Sequence, residues 1–429
     1  MEFGKEDLFM TTVGSDMGFE LGDFARKRHG GKAIKTWYYK GEGGNIDASV
    51  KIFNEKLFVA SVDRRLYKID PETGKKIWEF KAGGIFATST AEVRDSRVFI
   101  GNCDHNFYCI DEETGKEIWR FRTGDVLYAS PLVVDGMVVF TSKDFFVYAL
   151  DVKNGNMLWS FRTGGWTGFT PVTDGESIFI GSSDGYFYCL SYEGKEKWRF
   201  KTNGNIFTKD DVPILNGVIY FGSDDGNVYG LDVKTGREVW RFKTGGVINR
   251  PPEVKDGRLY ILSHDGYFYC IDIGSCRVLW RFRTSSDEGG TKAVVLEDRV
   301  IFASADYNMY CLDKMGKLLW KFRTGGHIWS TPAFYKGRIY LGSYDCRLYC
   351  MNKDGKVLWR FETSNLNQAL CIIEYETAME FKSPEVVQTV EEAKKDKYSP
   401  KAQTTDEDMY KAKSEYVFKS EYRQESEYK

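Results

Sequence analysis

Strand-like alternation of apolar and polar positions returns along this chain in blocks of about forty residues. In the block 206–243 the pattern predicts four short strands, at about 206–215, 218–223, 227–232 and 237–243. The last has period two: Val239 and Arg241 fall on one side, Trp240 and Phe242 on the other. Asn216-Gly217, Asp225-Gly226 and Thr235-Gly236 separate the segments, and such pairs supply tight turns and tolerate positive φ. One four-stranded meander cannot cover both its faces, so the blocks must stack on one another.

The repeat is marked by tryptophan. Trp37, Trp78, Trp119, Trp159, Trp198, Trp240, Trp280, Trp320 and Trp359 stand 39 to 42 residues apart. An aspartate lies 14 or 15 residues before each of the last eight: Asp63, Asp104, Asp144, Asp184, Asp225, Asp265, Asp306 and Asp345. Eight full copies occupy roughly 45–363. They predict an all-β chain, an eight-bladed β-propeller of four-stranded antiparallel blades with a polar C-terminal tail. Trp78, Trp119, Trp159, Trp198, Trp240, Trp280, Trp320 and Trp359 are expected to dock blade on blade, each indole NH donating to the backbone of the adjoining repeat. The aspartates, one per blade at turns, are expected to hold turns and neighbouring strands together. Trp37 heads one more outer-type strand, about 33–40, and 366–382 holds another strand-like run. The expected division is therefore an N-terminal extension 1–32, a propeller 33–382 whose terminal segments overlap at closure, and a charged, Tyr-containing tail 383–429, disordered or helical.

The phrase shared by the copies, seen as RLYKIDPETGKKIWEFKAGG at 65–84 and NVYGLDVKTGREVWRFKTGG at 227–246, resembles the pyrroloquinoline-quinone-like repeat. That repeat builds quinoprotein alcohol dehydrogenases and the propeller of the bacterial outer-membrane assembly lipoprotein. The resemblance covers all eight copies and implies the fold; function does not follow from it. It implies a calcium site, a catalytic carboxylate and, in many members, a vicinal disulfide for a quinone enzyme, and this sequence has no Cys-Cys pair. No HExxH, GxGxxG, Walker loop or GxSxG occurs either. No catalytic residue, cofactor or metal ligand is expected.

Composition narrows the picture further. The chain has 429 residues, 60 Lys and Arg against 62 Asp and Glu, and 42% hydrophobic residues, with no apolar run near the ~20 needed to cross a bilayer. No membrane insertion is expected. The opening MEFGKEDLFMTTVGSDMGFE carries no cationic stretch followed by an apolar one, so no secretion signal is expected and the chain reads as cytoplasmic. Cys109, Cys189, Cys270, Cys311 and Cys350 share a slot with Ala149 and Gly230, which marks small buried packing positions. Arg120, Arg122, Arg199, Lys201, Arg241, Lys243, Arg281, Arg283, Lys321 and Arg323 flank the strand-four aromatics. They suit edge protection, with a nucleic-acid groove as the competing reading.

The candidate binding residues lie where copies depart from the small-residue pattern of strand one, which is expected to line the central channel, and in the equivalent loops. These are Asp47, Trp166, Phe207, Lys209, Asp210, Asp211, Asn249, Arg250, Asp287, Glu288, Lys292, His327 and Trp329. A mixed polar and aromatic channel mouth suits a peptide or small molecule, and the alternative is a set of salt bridges across a hydrated pore. Residues 382–429, with ten basic and eleven acidic side chains, are too polar for a core of their own. The functional expectation is a non-catalytic scaffold that presents the mouth and tail to a protein partner. A small-molecule sensor or enzyme at the mouth and a nucleic-acid binder at the rim are the alternatives.

Overall fold

The structure, a computed structural model, describes residues 44–363 throughout and, outside them, the backbone strands Ala25–His29, Lys32–Trp37 and Ile373–Glu376. The expected extension 1–32, apart from those strands, and the tail 383–429 lie outside the described residues. Eight four-stranded sheets follow one another as blades at 51–81, 92–122, 132–162, 172–201, 214–243, 253–283, 294–323 and 333–362. Each is an antiparallel meander in chain order, as the turn chemistry predicts. Between Leu215 and Val218, Asn216 and Gly217 both take positive φ, 51° and 75°, the conformation a two-residue hairpin needs.

The fifth blade differs from its sequence reading in strand one. As a strand only Ile214–Leu215 pairs within the blade, and 206–213 runs on as linker, with Thr208 bridging Phe169 of the preceding linker and Lys209 bonding across the channel. Every outermost strand carries a β-bulge just before its Trp, as between Lys76 and Trp78 or between Glu238 and Trp240. The bulge interrupts the free edge and adds to the Arg and Lys there in blunting edge-to-edge association.

Core residues sit between blades. Phe58, Ala60 and Leu66 of the first blade share one cluster with Val98, Ile100 and Tyr108 of the second. All eight indoles donate to a backbone carbonyl of the next blade, from Trp78 to Glu112 at 3.0 Å through Trp320 to Lys353 at 3.0 Å. The last, Trp359 to Pro71 at 3.1 Å, closes the ring. The rings are half-buried, so each gains less than the roughly 5 kcal/mol that covering a whole indole would give. Under seven of them packs a glycine of the next blade; under Trp280 it is Gly316, where a Cβ would stand 2.6 Å from the ring. The aspartates staple turns as expected: Asp265 accepts from the Tyr267 NH at 3.0 Å, the Tyr269 hydroxyl at 2.7 Å and the Gly245 NH at 2.8 Å.

Of the terminal segments expected to meet at closure within 33–382, Lys32–Trp37 and Ile373–Glu376 pair with each other, and neither joins a blade. The eighth blade, complete with Val357–Glu362 as its outer strand, packs directly on the first through Leu57, Val59, Tyr67, Tyr340 and Leu348. Because 357–362 already fills the outer position, no blade lacks a strand. Lys32–Trp37 instead forms a three-stranded sheet between Ala25–His29 and Ile373–Glu376.

Candidate functional site

In a meander the start of strand one, the turn between strands two and three, and the end of strand four lie at the same end of the blade. The linkers between blades and the second turns therefore meet at one mouth of the channel. Their register repeats: His264 NH donates to Val247 O, Lys143 NH to Val126 O, Ser183 NH to Trp166 O and Tyr344 NH to His327 O. Side chains at these slots differ from blade to blade while the backbone pattern stays the same.

One linker is long. Twelve positions separate Thr202 from Ile214, against nine from Thr163 to Val172 and nine from Thr244 to Glu253. The additional residues lie across the channel. Lys209, fully buried, donates from Nζ to the Asp47 carbonyl and to Asp47 Oδ1, both at 2.7 Å. Burial pushes the Lys209 ammonium down from its usual range, and Asp47 opposes that shift. Asp47 Oδ2 accepts from the Tyr344 hydroxyl at 3.0 Å. Asp210 accepts from the Ser49 hydroxyl at 2.7 Å and the Thr331 hydroxyl at 2.8 Å. The Lys209 carbonyl takes the Thr170 hydroxyl at 2.7 Å and the Ser130 hydroxyl at 3.0 Å, and Lys292 Nζ donates to Asp211 O at 2.9 Å. This segment is a plug bonded to linkers on several sides of the ring. Lys292 also pairs with Glu253 at 3.1 Å.

The remaining candidates fall into separate groups. Arg250, 5% exposed, donates to Gly290 O at 2.8 Å and lies 5.1 Å from the ring of buried Trp329. Burial lowers its pKa, and the nearby charges of Asp47 and Asp210 oppose that shift. Trp166 and Phe207 pack at 5.7 Å, and Lys143 Nζ stands 5.2 Å from the Trp166 ring and 5.4 Å from Tyr128. His327 lies tilted against Tyr307 at 4.5 Å, donates from Nδ1 to Ala305 O at 2.7 Å, and meets Tyr344 edge-on. Asp287 and Glu288 are exposed on their linker and Asp211 is exposed beside the plug. Asn249 is 6% exposed and its Oδ1 has no partner.

Sequence reasoning missed Tyr128, Lys143, Tyr307 and Tyr344. Lys143 and Tyr344 share the position just before a stapling Asp, where the copies also carry Cys103, Asp224 and His264. That variation beside an unvarying Asp is the signal that marks the slot.

The chemistry on offer at the mouth is hydrogen bonding and aromatic contact. Cys109, Cys189, Cys270, Cys311 and Cys350 are fully buried, and burial pushes their thiols up, Cys109 to about 12 and the others to about 11. At the rim, Arg120 pairs with Glu117 and lies over Tyr108, and Arg241 pairs with Glu238 and lies over Tyr229. Among the described residues no group of three or more His, Cys, Asp and Glu is placed to hold a metal ion.

Residues 43–287 match the family described as the β-propeller of β-alanine-activating enzyme, and 277–386 match the family described as outer membrane protein assembly factor BamB. No curated protein matches the sequence. Among solved structures, BamB from Moraxella catarrhalis superposes with a TM-score of 0.62 at 19% identity, over 70% of this chain and 92% of its own. The computationally designed protein Ika8 gives 0.62 at 16%, over 76% and 98%. A europium-containing methanol dehydrogenase gives 0.60 at 13%, over 80% and 86%. An assembly factor, a design and an enzyme thus share the wheel, and the likeness is one of fold.

Proposed function

The chain belongs to the pyrroloquinoline-quinone-like repeat β-propellers and to the family of the β-alanine-activating enzyme's propeller, and from that premise we propose that it is a non-catalytic, cytoplasmic protein-interaction scaffold. The working surface is the plugged mouth, with the tail 383–429 as a second contact. The observation that carries this reading is the half-buried patch of Tyr128, Lys143 and Trp166, backed by buried Phe207, beside a plug whose charges are already engaged within the ring. Rigid aromatic side chains next to a cation give contact area at low entropic cost, which suits an anchor for a protein partner. The match of 277–386 to an assembly factor's family supports the same reading.

The test is affinity purification from the native cell with four baits: the full chain, the chain lacking 383–429, Trp166→Ala with Lys143→Glu, and Arg281→Glu with Arg283→Glu. Partners of the full chain are expected to be lost with the mouth variant and kept with the rim variant. Identical recovery from the full chain and the mouth variant would sink the assignment of the surface. Turnover of a substrate by the purified chain would sink the non-catalytic role, and fractionation with a membrane or secreted pool the compartment.

A further inference from the structure

Two sectors of the same mouth have diverged chemically. Asp224 and His264 fill the slot that Lys143 and Tyr344 fill elsewhere, because each donates its NH to the preceding linker: Asp224 to Asn205 O and His264 to Val247 O, both 3.0 Å. Asn205 therefore stands where Trp166 and His327 stand. Asn203 stands where Gly245 stands, since Asn203 NH donates to Asp225 at 3.1 Å as Gly245 NH does to Asp265. Amides, a carboxylate and an imidazole here replace the aromatic and cationic groups of the other sector. Asn203, Asn205, Asp224, Val247, Asn249 and His264 surround a cavity of about 400 Å³.

Asn249 provides the second, independent observation. Its side chain is more than nine-tenths buried, lines this cavity, and keeps Oδ1 without a hydrogen-bond partner. A buried polar atom left unpaired is costly unless a guest supplies the missing bond. His264 Nε2 is likewise unpaired. Burial, with Arg250 nearby, holds that imidazole down to about 4, so it is neutral at physiological pH.

We propose that this cavity is a binding site for a small neutral polyhydroxylated ligand the size of a monosaccharide. Amides both donate and accept, as hydroxyl groups do, and a single carboxylate at the edge accepts one more hydroxyl. The buried Arg250 guanidinium near His264 disfavours a cationic amine, the other class an acceptor-rich pocket invites. The volume suits one sugar ring with room for bridging water. The site stands independently of the aromatic patch and of the scaffold reading.

The test titrates the full chain with glucose, galactose, mannose and N-acetylglucosamine, and with ethanolamine as the amine probe, by calorimetry and saturation-transfer NMR. Asn249→Leu and Asp224→Ala are run beside it, with Trp166→Ala as a control outside the pocket and thermal melts to verify folding. At least one sugar is expected to bind saturably, weakened about tenfold or more in both pocket variants, as loss of one hydrogen bond implies. Trp166→Ala is expected to leave that binding unchanged. If Asn249→Leu fails to fold, Asp224→Ala at the open edge decides alone. No saturable sugar binding, binding of ethanolamine only, or sugar binding indifferent to the folded pocket variants each overturns the proposal.

Discussion

Replacing Lys209 by Met removes one partner of the ion pair at the centre of the wheel. Lys209 is fully buried and Asp47 is 1% exposed, so the variant strands a carboxylate that keeps the Tyr344 hydroxyl but loses Nζ from Oδ1. Breaking a buried pair from one side costs about 3–5 kcal/mol, because the orphaned charge retains its desolvation penalty. Arg250 lies close enough to interact with Asp47 and offsets part of that loss, which places the expectation near 3 kcal/mol. Melting shifts per kcal/mol shrink as chains lengthen, and about 1–2 °C each is appropriate here, a fall of roughly 3–6 °C. The assay is urea unfolding, with melting as a second measure, of Lys209→Met, Asp47→Asn and the double variant. The double variant discards both charges and keeps an acceptor for Tyr344, so it is expected to regain about 2 kcal/mol relative to additivity. A Lys209→Met protein as stable as the parent would refute the reasoning: the plug would then be a passenger of ring closure and not one of its fastenings.

Two further outcomes follow from single residues. The slot under Trp240, glycine beneath the other indoles, holds Cys276 at φ 54°, a conformation that costs a side chain about 1 kcal/mol, so Cys276→Gly is expected to raise the melting temperature. Gly316→Ala, at φ 83° and with a Cβ 2.6 Å from the Trp280 ring, is expected to lower it, and the opposite order in a thermal scan would contradict the packing described. For His264 the sign is set by a folded pKa of about 4 against 6.5: the unfolded chain takes up a proton first, so stability is full above 6.5 and falls as pH drops toward 4. The loss is limited to about 3 kcal/mol and is reduced by the partial exposure of the ring. His264→Gln should flatten the stability profile over that window, and an unchanged slope would assign it to other groups.

The parts of this molecule that were legible in sequence are those whose partners lie within a blade or in the next one. Trp280 and its acceptor Lys314 are 34 residues apart, and Asp265 bonds to Tyr269 four residues on, so each copy carries both halves of the contact and repetition reveals them. The eight blades, the docking role of the indoles and the small buried cysteine slot all follow from that locality. The sequence also marked 209–211 as a departure, with charges where other copies carry Ser, Thr or Pro.

Tertiary structure alone decided where those departures lead. Lys209 and Asp47 are 162 residues apart and meet only because the ring closes and brings opposite linkers to one axis. No local periodicity encodes that distance, so an open pore lined with charges and a plugged one share the same alternation of strands. The closure itself is of this kind: Lys32–Trp37 reads as a blade strand, yet the position it would fill is taken by Val357–Glu362. Asn249 is the sharpest case. Its letter suggests only a polar loop residue, whereas burial without a partner depends on how the neighbouring linkers pack around it, and packing between distant segments is what composition and spacing cannot express.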